Sequence, residues 1–196
     1  IKKGDIRSMR KVLQLLSIVV VGIAVALMLI SPELVLIFGS PKYREAVYVI
    51  PPVAASVFFI FIYNILSMPQ FYYEKTQFLM AASMAAAGAN VVLNFIFIRI
   101  FGYVAAGYTT LACYMLYSVG HYIVSKRILV NEGIQENLMN PGFLLACSVF
   151  LIGASIICNL IFPYRILRYA ILLASAGLVF WKKELLLKTM ADIRKK

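Results

Sequence analysis

The residues of this chain that could do chemistry are amides and phenols that interrupt long apolar stretches. Asn90 and Asn94 stand four positions apart, so they share one face of a helix. An amide in hydrocarbon without a hydrogen-bonding partner costs several kcal/mol, so each one must face another helix or a hydrated cavity. Two interpretations stay open: hydrogen bonds between helices, or a hydrophilic path for a polar substrate. The candidates for such a path are Tyr63, Asn64, Gln70, Asn90 and Asn94.

Nucleophilic catalysis is not favoured. His121 is the single histidine of the chain, and Ser118 precedes it by three residues, which places both on one face of a helix. A serine nucleophile needs an acid that orients the histidine and donors that stabilise the oxyanion. The neighbouring sequence offers neither, so we predict no catalytic residue and a chain that is not an enzyme.

No metal centre or disulfide framework is indicated either. Cys113, Cys147 and Cys158 fall inside apolar runs, with no Cys-x-x-Cys spacing, and we interpret them as packing residues. No cofactor is predicted. The acidic residues all fall outside the apolar runs, which leaves no carboxylate to bind a proton or a sodium ion inside a membrane. They are Asp5, Glu33, Glu45, Glu74, Glu132, Glu136, Glu184 and Asp192.

The composition of the chain is typical of a membrane protein. The chain has 196 residues, of which 63% are hydrophobic and 14% charged, whereas soluble domains are about half apolar and about a quarter charged. Its mean hydropathy is +0.90. A spanning helix needs roughly 20 apolar residues, and the last run reaches that length only if Arg168 extends its charged end to the surface. The sequence predicts an all-α polytopic transmembrane bundle with spans at about 12–31, 46–67, 76–98, 103–125, 142–162 and 166–181.

Prolines and short connections divide these spans. Pro32 ends the first span, and residues 33–38 are interpreted as one interfacial turn. Pro51 and Pro52 predict a kink or a late start of the second helix. Residues 99–103 leave room for a tight turn only, so the third and fourth spans are expected to form an antiparallel hairpin.

Small residues recur in both helices of that hairpin. Ala81, Ala85 and Ala89 are spaced by four in the third span, and Ala105 and Thr109 continue the pattern in the fourth. Small residues on one face let helix backbones approach closely. We therefore expect the two helices to pack tightly through these residues.

The distribution of positive charge predicts the orientation. Most of the 19 Lys and Arg residues fall on one side, in the N-terminal arm, at Lys75, after the fourth span and in the tail. The positive-inside rule puts both ends of the chain in the cytoplasm. Nucleic-acid binding is excluded, because the charges form no solvated basic face. Lys75, Arg99, Arg165 and Arg168 are interpreted as cations at the membrane interface.

The chain divides into a transmembrane lobe at 1–181 and a basic cytoplasmic tail at 182–196. The tail reads either as an amphipathic helix on anionic lipid or as a solvated segment. Because the chain begins with Ile1 and a basic arm, we expect it to be part of a longer protein.

Three motifs in fixed order resemble a transporter family. They are "LIFG..Y..A" at 36–46, "YYEKT" at 72–76, and "N...N" followed by "FGY.AAGY.T" at 90–110. Together they resemble the C-terminal half of bacterial oligosaccharide flippases, the Wzx-like polysaccharide transporters of the multidrug/oligosaccharidyl-lipid/polysaccharide exporter superfamily. The resemblance covers residues 1–130.

The resemblance implies one lobe of a two-lobe transporter. The partners it implies are a missing N-terminal lobe of the same chain, membrane lipids and an undecaprenyl-diphosphate-linked glycan. Such proteins move that glycan lipid to the outer leaflet by alternating access, for polysaccharide biosynthesis. Alternatives remain: a drug/cation antiporter, a lipid II or sporulation-type exporter, an intramembrane enzyme of glycan assembly, or a membrane scaffold.

Overall fold

Six long α-helices and one 3₁₀ helix make up the fold of the part of the chain that the structure describes. The computed structural model describes residues 3–181, and the predicted tail at 182–196 lies outside them. The described residues contain no strand, which confirms the all-α class. The helices are α1 (Lys3–Phe38), α2 (Ile50–Tyr72), α3 (Gln77–Phe101), α4 (Ala105–Asn131), α5 (Pro141–Ile161) and α6 (Arg165–Trp181), with the 3₁₀ helix (Pro41–Tyr48) between α1 and α2.

Helix α1 continues past Pro32, which was expected to end it. The interfacial turn predicted for residues 33–38 is therefore wrong. Pro32 lacks an N–H and leaves the carbonyl of Met28 without its helical donor. The Ser31 hydroxyl donates to that carbonyl at 2.8 Å. The local cost of the proline is thereby reduced, and the helix continues to Phe38.

Helix α2 starts late, as its prolines predict. Pro51 and Pro52 occupy the first turn, where a missing N–H costs no helical hydrogen bond. The chain before them forms the 3₁₀ helix instead. The turn between α3 and α4 spans residues 102–104, with Gly102 at a φ of 76°, a left-handed conformation that glycine adopts readily. The predicted hairpin is therefore present.

The buried core lies where α1, α2 and α4 meet. Helix α2 packs most extensively against α4 and α1, while α3, α5 and α6 lie around this centre. Gly107 of α4 permits the closest approach. A Cβ at this position would lie 2.8 Å from the ring of Pro52 and 3.0 Å from the carbonyl oxygen of Val49.

The small residues of α3 do not form the expected interface. Ala81, Ala85 and Ala89 are exposed, and α3 contains no buried residue. The half-buried face of α3 instead contains Ala82, Ala86, Asn90 and Asn94. Each of the first three follows one of the predicted alanines by one position in the sequence. The reason is that Asn94 hydrogen-bonds to α4, as described below, and this contact fixes the rotation of α3 about its axis.

Among the described residues, four helices are long and apolar enough to cross a membrane: Ser8–Phe38 within α1, then α2, α3 and α5. The six predicted spans are not confirmed as a set. Helix α4 has ample length but is too polar, and α6 has 17 residues. The described residues thus have the architecture of a helical membrane protein, in which α4 is the least hydrophobic of the α-helices.

Contacts between loops define two ends of the bundle. At one end Lys75 lies 3.2 Å from Glu132, and Arg10 donates to the carbonyl of Asn137 at 3.0 Å. At the other end Tyr103 donates to Glu45 at 3.1 Å. The helices therefore alternate in direction, and the connections group as the charge pattern predicts.

Candidate functional site

A polar groove lies between α2, α3 and α4. Its volume is about 460 Å³, within the usual range for ligand sites of about 300–1,000 Å³. Helix α4 supplies one wall with Thr110, Tyr114 and Tyr117, spaced by four and three so that they share a face. The residues that line the groove are Tyr63, Ser83, Ala86, Ala87, Asn90, Val91, Thr110, Cys113, Tyr114 and Tyr117.

Tyrosine rings form one wall of the groove. The Tyr63 ring stacks on Tyr114, with centroids 6.2 Å apart and planes 6° from parallel. It also lies 4.6 Å from the ring of Tyr117. The phenol oxygen of Tyr117 is 2.6 Å from the hydroxyl of Ser83. This wall offers flat aromatic faces next to hydroxyl groups.

The two asparagines of α3 form a chain of hydrogen bonds across to α4. The amide nitrogen of Asn94 donates to the side-chain oxygen of Asn90 at 2.9 Å. The hydroxyl of Thr109 donates to the side-chain oxygen of Asn94 at 2.5 Å. Asn90 also lines the groove. Asn94 therefore holds the hairpin together, while Asn90 both bonds to Asn94 and faces the cavity.

A buried pair lies next to the groove, near the end marked by Lys75. The amide nitrogen of Gln70 is 2.7 Å from Nδ1 of His121. Both side chains are 0% exposed. The imidazole ring centroid is 4.5 Å from the ring of Tyr117 and 5.8 Å from that of Tyr63. The imidazole ring of His121 thus contacts two tyrosine rings that line the groove.

The five predicted path residues do not all reach one site. Tyr63 and Asn90 line the groove, Asn94 supports Asn90, and Gln70 lies in the buried pair. Asn64 is exposed and donates to the carbonyl of Ile60 in its own helix at 2.8 Å.

Sequence reasoning did not select four further groove residues, which are Ser83, Thr110, Tyr114 and Tyr117. It also dismissed His121. The signal that could have found the α4 residues is their spacing, since residues 110, 114, 117 and 121 form one polar face.

Three of the predicted interfacial cations lie at the helix ends. Lys75 pairs with Glu132. The guanidinium of Arg99 stacks 3.9 Å above the ring of Phe95, a cation–π contact. Arg165 is exposed.

Arg168 differs from the prediction. Its side chain is 1% exposed, and it donates to both carboxylate oxygens of Glu33 at 2.8 and 2.9 Å. It also donates to the carbonyl of Leu29. Glu33, which was predicted to lie outside the first span, is part of helix α1, whose apolar stretch Ser8–Phe38 is longer than the roughly 20 residues that a span needs.

The remaining reactive groups form no further site among the described residues. The hydroxyl of Ser118 lies 2.9 Å from the carbonyl of Phe59 and 2.8 Å from that of Tyr114, and not against His121. The three cysteines are free thiols. Within residues 3–181, no group of three His, Cys, Asp or Glu side chains is arranged to hold a metal ion.

Comparison of the chain with protein-family models, with curated proteins and with solved structures finds no match. The functional argument therefore starts from the groove and its chemistry.

Proposed function

We propose that the chain is the C-terminal lobe of a flippase that moves an undecaprenyl-diphosphate-linked oligosaccharide across a bacterial cell membrane. The proposal combines the resemblance of residues 1–130 with the chemistry of the groove. In this proposal α4 and α6 also cross the membrane, and both ends of the chain lie in the cytoplasm. The first lobe, implied by the resemblance, forms the opposite wall of the path.

The observation that carries the proposal is the character of the groove lining. Tyr63, Tyr114 and Tyr117 offer aromatic faces that fit the C–H faces of sugar rings. Ser83 and Asn90 offer donors and acceptors for sugar hydroxyls. The lining residues include no charged side chain. A neutral, polyhydroxylated substrate matches this lining better than a drug cation does, since a cation favours a carboxylate.

The pyrophosphate of the substrate needs cations, which this lining does not contain. We assign that role to the missing first lobe. The lipid tail stays in the bilayer, because only the glycan requires a hydrated path. Alternating access then follows from movement of this lobe as a unit against the first.

The test is leaflet accessibility of a lipid-linked oligosaccharide in vesicles that contain the full-length protein. A lectin added outside reports how much glycan has crossed. Asn90→Ala is expected to slow transfer about tenfold, the equivalent of one lost hydrogen bond to the sugar. Tyr117→Phe removes the hydroxyl and keeps the ring, so it is expected to slow transfer as well.

Asn64→Ala is the matched control, because it removes the same amide from an exposed position outside the groove. It is expected to transfer glycan at the wild-type rate. The proposal fails if the wild-type protein leaves the glycan on one side. It also fails if Asn64→Ala and Asn90→Ala slow transfer equally at equal thermal stability.

A further inference from the structure

The strongest unexplained feature of the molecule is the pair formed by Gln70 and His121. Both side chains are fully buried, yet each has one polar atom with no partner: Oε1 of Gln70 and Nε2 of His121. Buried polar atoms in native proteins are almost always hydrogen-bonded. Two orphaned atoms on two bonded side chains therefore call for a functional explanation.

With the Gln70 amide in its present orientation, the hydrogen bond fits one tautomer of the imidazole. The amide nitrogen of Gln70 carries only N–H groups, so Nδ1 of His121 has to accept through its lone pair. The imidazole is then neutral, with its proton on Nε2, where it finds no acceptor.

The same pair can hold an extra proton without moving the backbone. When Nδ1 gains a proton, both ring nitrogens become donors. A half-turn of the Gln70 amide brings Oε1, which has no partner now, to accept from Nδ1–H. With the amide turned, Nδ1–H has an acceptor, so the pair can accommodate the imidazolium without a change of the backbone.

Aromatic side chains surround the imidazole in an otherwise apolar site. Three aromatic rings surround the imidazole: Phe78 of α3, at 5.5 Å between centroids, and Tyr63 and Tyr117 at the distances given above. Aromatic faces attract cations, and the attraction grows when water is excluded.

The titratable groups that face the imidazole are the phenols of Tyr63 from α2 and Tyr117 from α4. Helix α3 contributes only the ring of Phe78. Among the described residues, no ion pair includes His121. The charge of a bound proton is therefore felt mainly by the two tyrosines.

We propose that His121 and Gln70 form a proton-binding site that controls the polar groove. The proton comes from water at the end of the bundle marked by Lys75, and one N–H bond forms at Nδ1. The imidazolium attracts the faces of Tyr117 and Tyr63. Because Tyr117 also bonds to Ser83 of α3, proton binding shifts the groove lining and the contact between α3 and α4. Its use in driving transport rests on the proposed function.

The proton site is tested without any substrate, by nitrogen NMR of ¹⁵N-histidine-labelled protein in lipid nanodiscs. His121→Gln identifies the signal of this residue. The ring nitrogens are expected to change from the neutral to the imidazolium pattern as the pH is lowered. Gln70→Leu removes the acceptor for Nδ1–H and is expected to lower the titration midpoint by about one pH unit or more. Gln70→Glu is expected to raise it.

The matched control is Gln77→Leu, an identical change at an exposed position, which is expected to leave the midpoint unchanged. The proposal is overturned if His121 stays neutral at every pH at which the protein remains folded. It is overturned equally if Gln70→Leu and Gln77→Leu move the midpoint by the same amount. In vesicles, His121→Gln is expected to abolish the dependence of glycan transfer on a pH gradient. Absence of any transfer refutes the proposed function, whereas the NMR titration alone decides the proton site.

Discussion

At the scale of single residues, the buried charge of Arg168 is paired with a carboxylate on another helix. Its guanidinium bonds to both oxygens of Glu33 and to the carbonyl of Leu29, and Tyr169 donates to the same carboxylate at 2.8 Å. The charge of Arg168, which was predicted to lie at the membrane interface, is thus paired between α1 and α6. Charges leave water only when paired in this way.

Removing one member of this pair is expected to be costly. Glu33→Leu leaves Arg168 buried without its counterion, and we expect a loss of about 3 kcal/mol in the free energy of unfolding. The double variant Glu33→Leu with Arg168→Leu removes both charges and is expected to recover most of that loss. Unfolding of the protein in mild detergent by a denaturing detergent measures both.

The exposed pair of Lys75 and Glu132 is the control for the comparison of the single and double variants at Glu33 and Arg168. Both side chains are well exposed, so Lys75→Met is expected to change stability by less than about 1 kcal/mol. Equal losses for the single and the double variants at Glu33 would show that packing, rather than charge pairing, explains the effect.

At the scale of helices, close approach between α2 and α4 depends on one glycine. A Cβ at Gly107 meets the rigid ring of Pro52 and a backbone oxygen of Val49, and neither can move aside cheaply. By contrast, a Cβ at Gly88 of α3 meets no atom within 4 Å. The two glycines look alike in the sequence but differ in what surrounds them.

The substitution Gly107→Ala is therefore expected to separate the two helices and to lower the free energy of unfolding by about 1–3 kcal/mol. Gly88→Ala, its matched control, is expected to be neutral or slightly stabilising, because alanine has the higher helix propensity. Denaturation of both variants in the same detergent provides the comparison. A loss at Gly88 as large as that at Gly107 would contradict the packing described here.

At the scale of the whole molecule, the connections between helices separate into two groups. The Lys75–Glu132 and Arg10–Asn137 contacts join one group, and the Tyr103–Glu45 contact joins the other. The ring of Tyr48 also lies 5.7 Å from that of Phe162 at this second end. Helices that alternate in direction fit a bundle whose loops lie on the two faces of a membrane.

Cysteine labelling of intact cells tests this arrangement and its orientation. In a variant with the three native cysteines replaced by alanine, Lys42→Cys and Tyr103→Cys are expected to react with a membrane-impermeant maleimide. Lys75→Cys and Lys126→Cys are expected to react only after the cells are opened. The topology is refuted if a residue from each group is labelled from the same side.

The sequence by itself determined where the helices lie and which loops share an end. Apolar length and turn residues are local properties, so the positions of six helices could be derived from them. The continuation of α1 past Pro32 could not, because it depends on a hydroxyl bond and on an arginine from the far end of the chain. The rotation of α3 was missed for a related reason, since small residues mark a possible interface but do not select it.

The tertiary structure decided which polar residues belong together. Tyr63 and Asn90 meet across a groove, whereas Asn64, next to Tyr63 in the chain, is directed away from it. The pairing of Gln70 with His121 joins residues 51 positions apart. Periodicity reports which face of a helix a residue occupies, but only the packing of distant helices determines what that face meets.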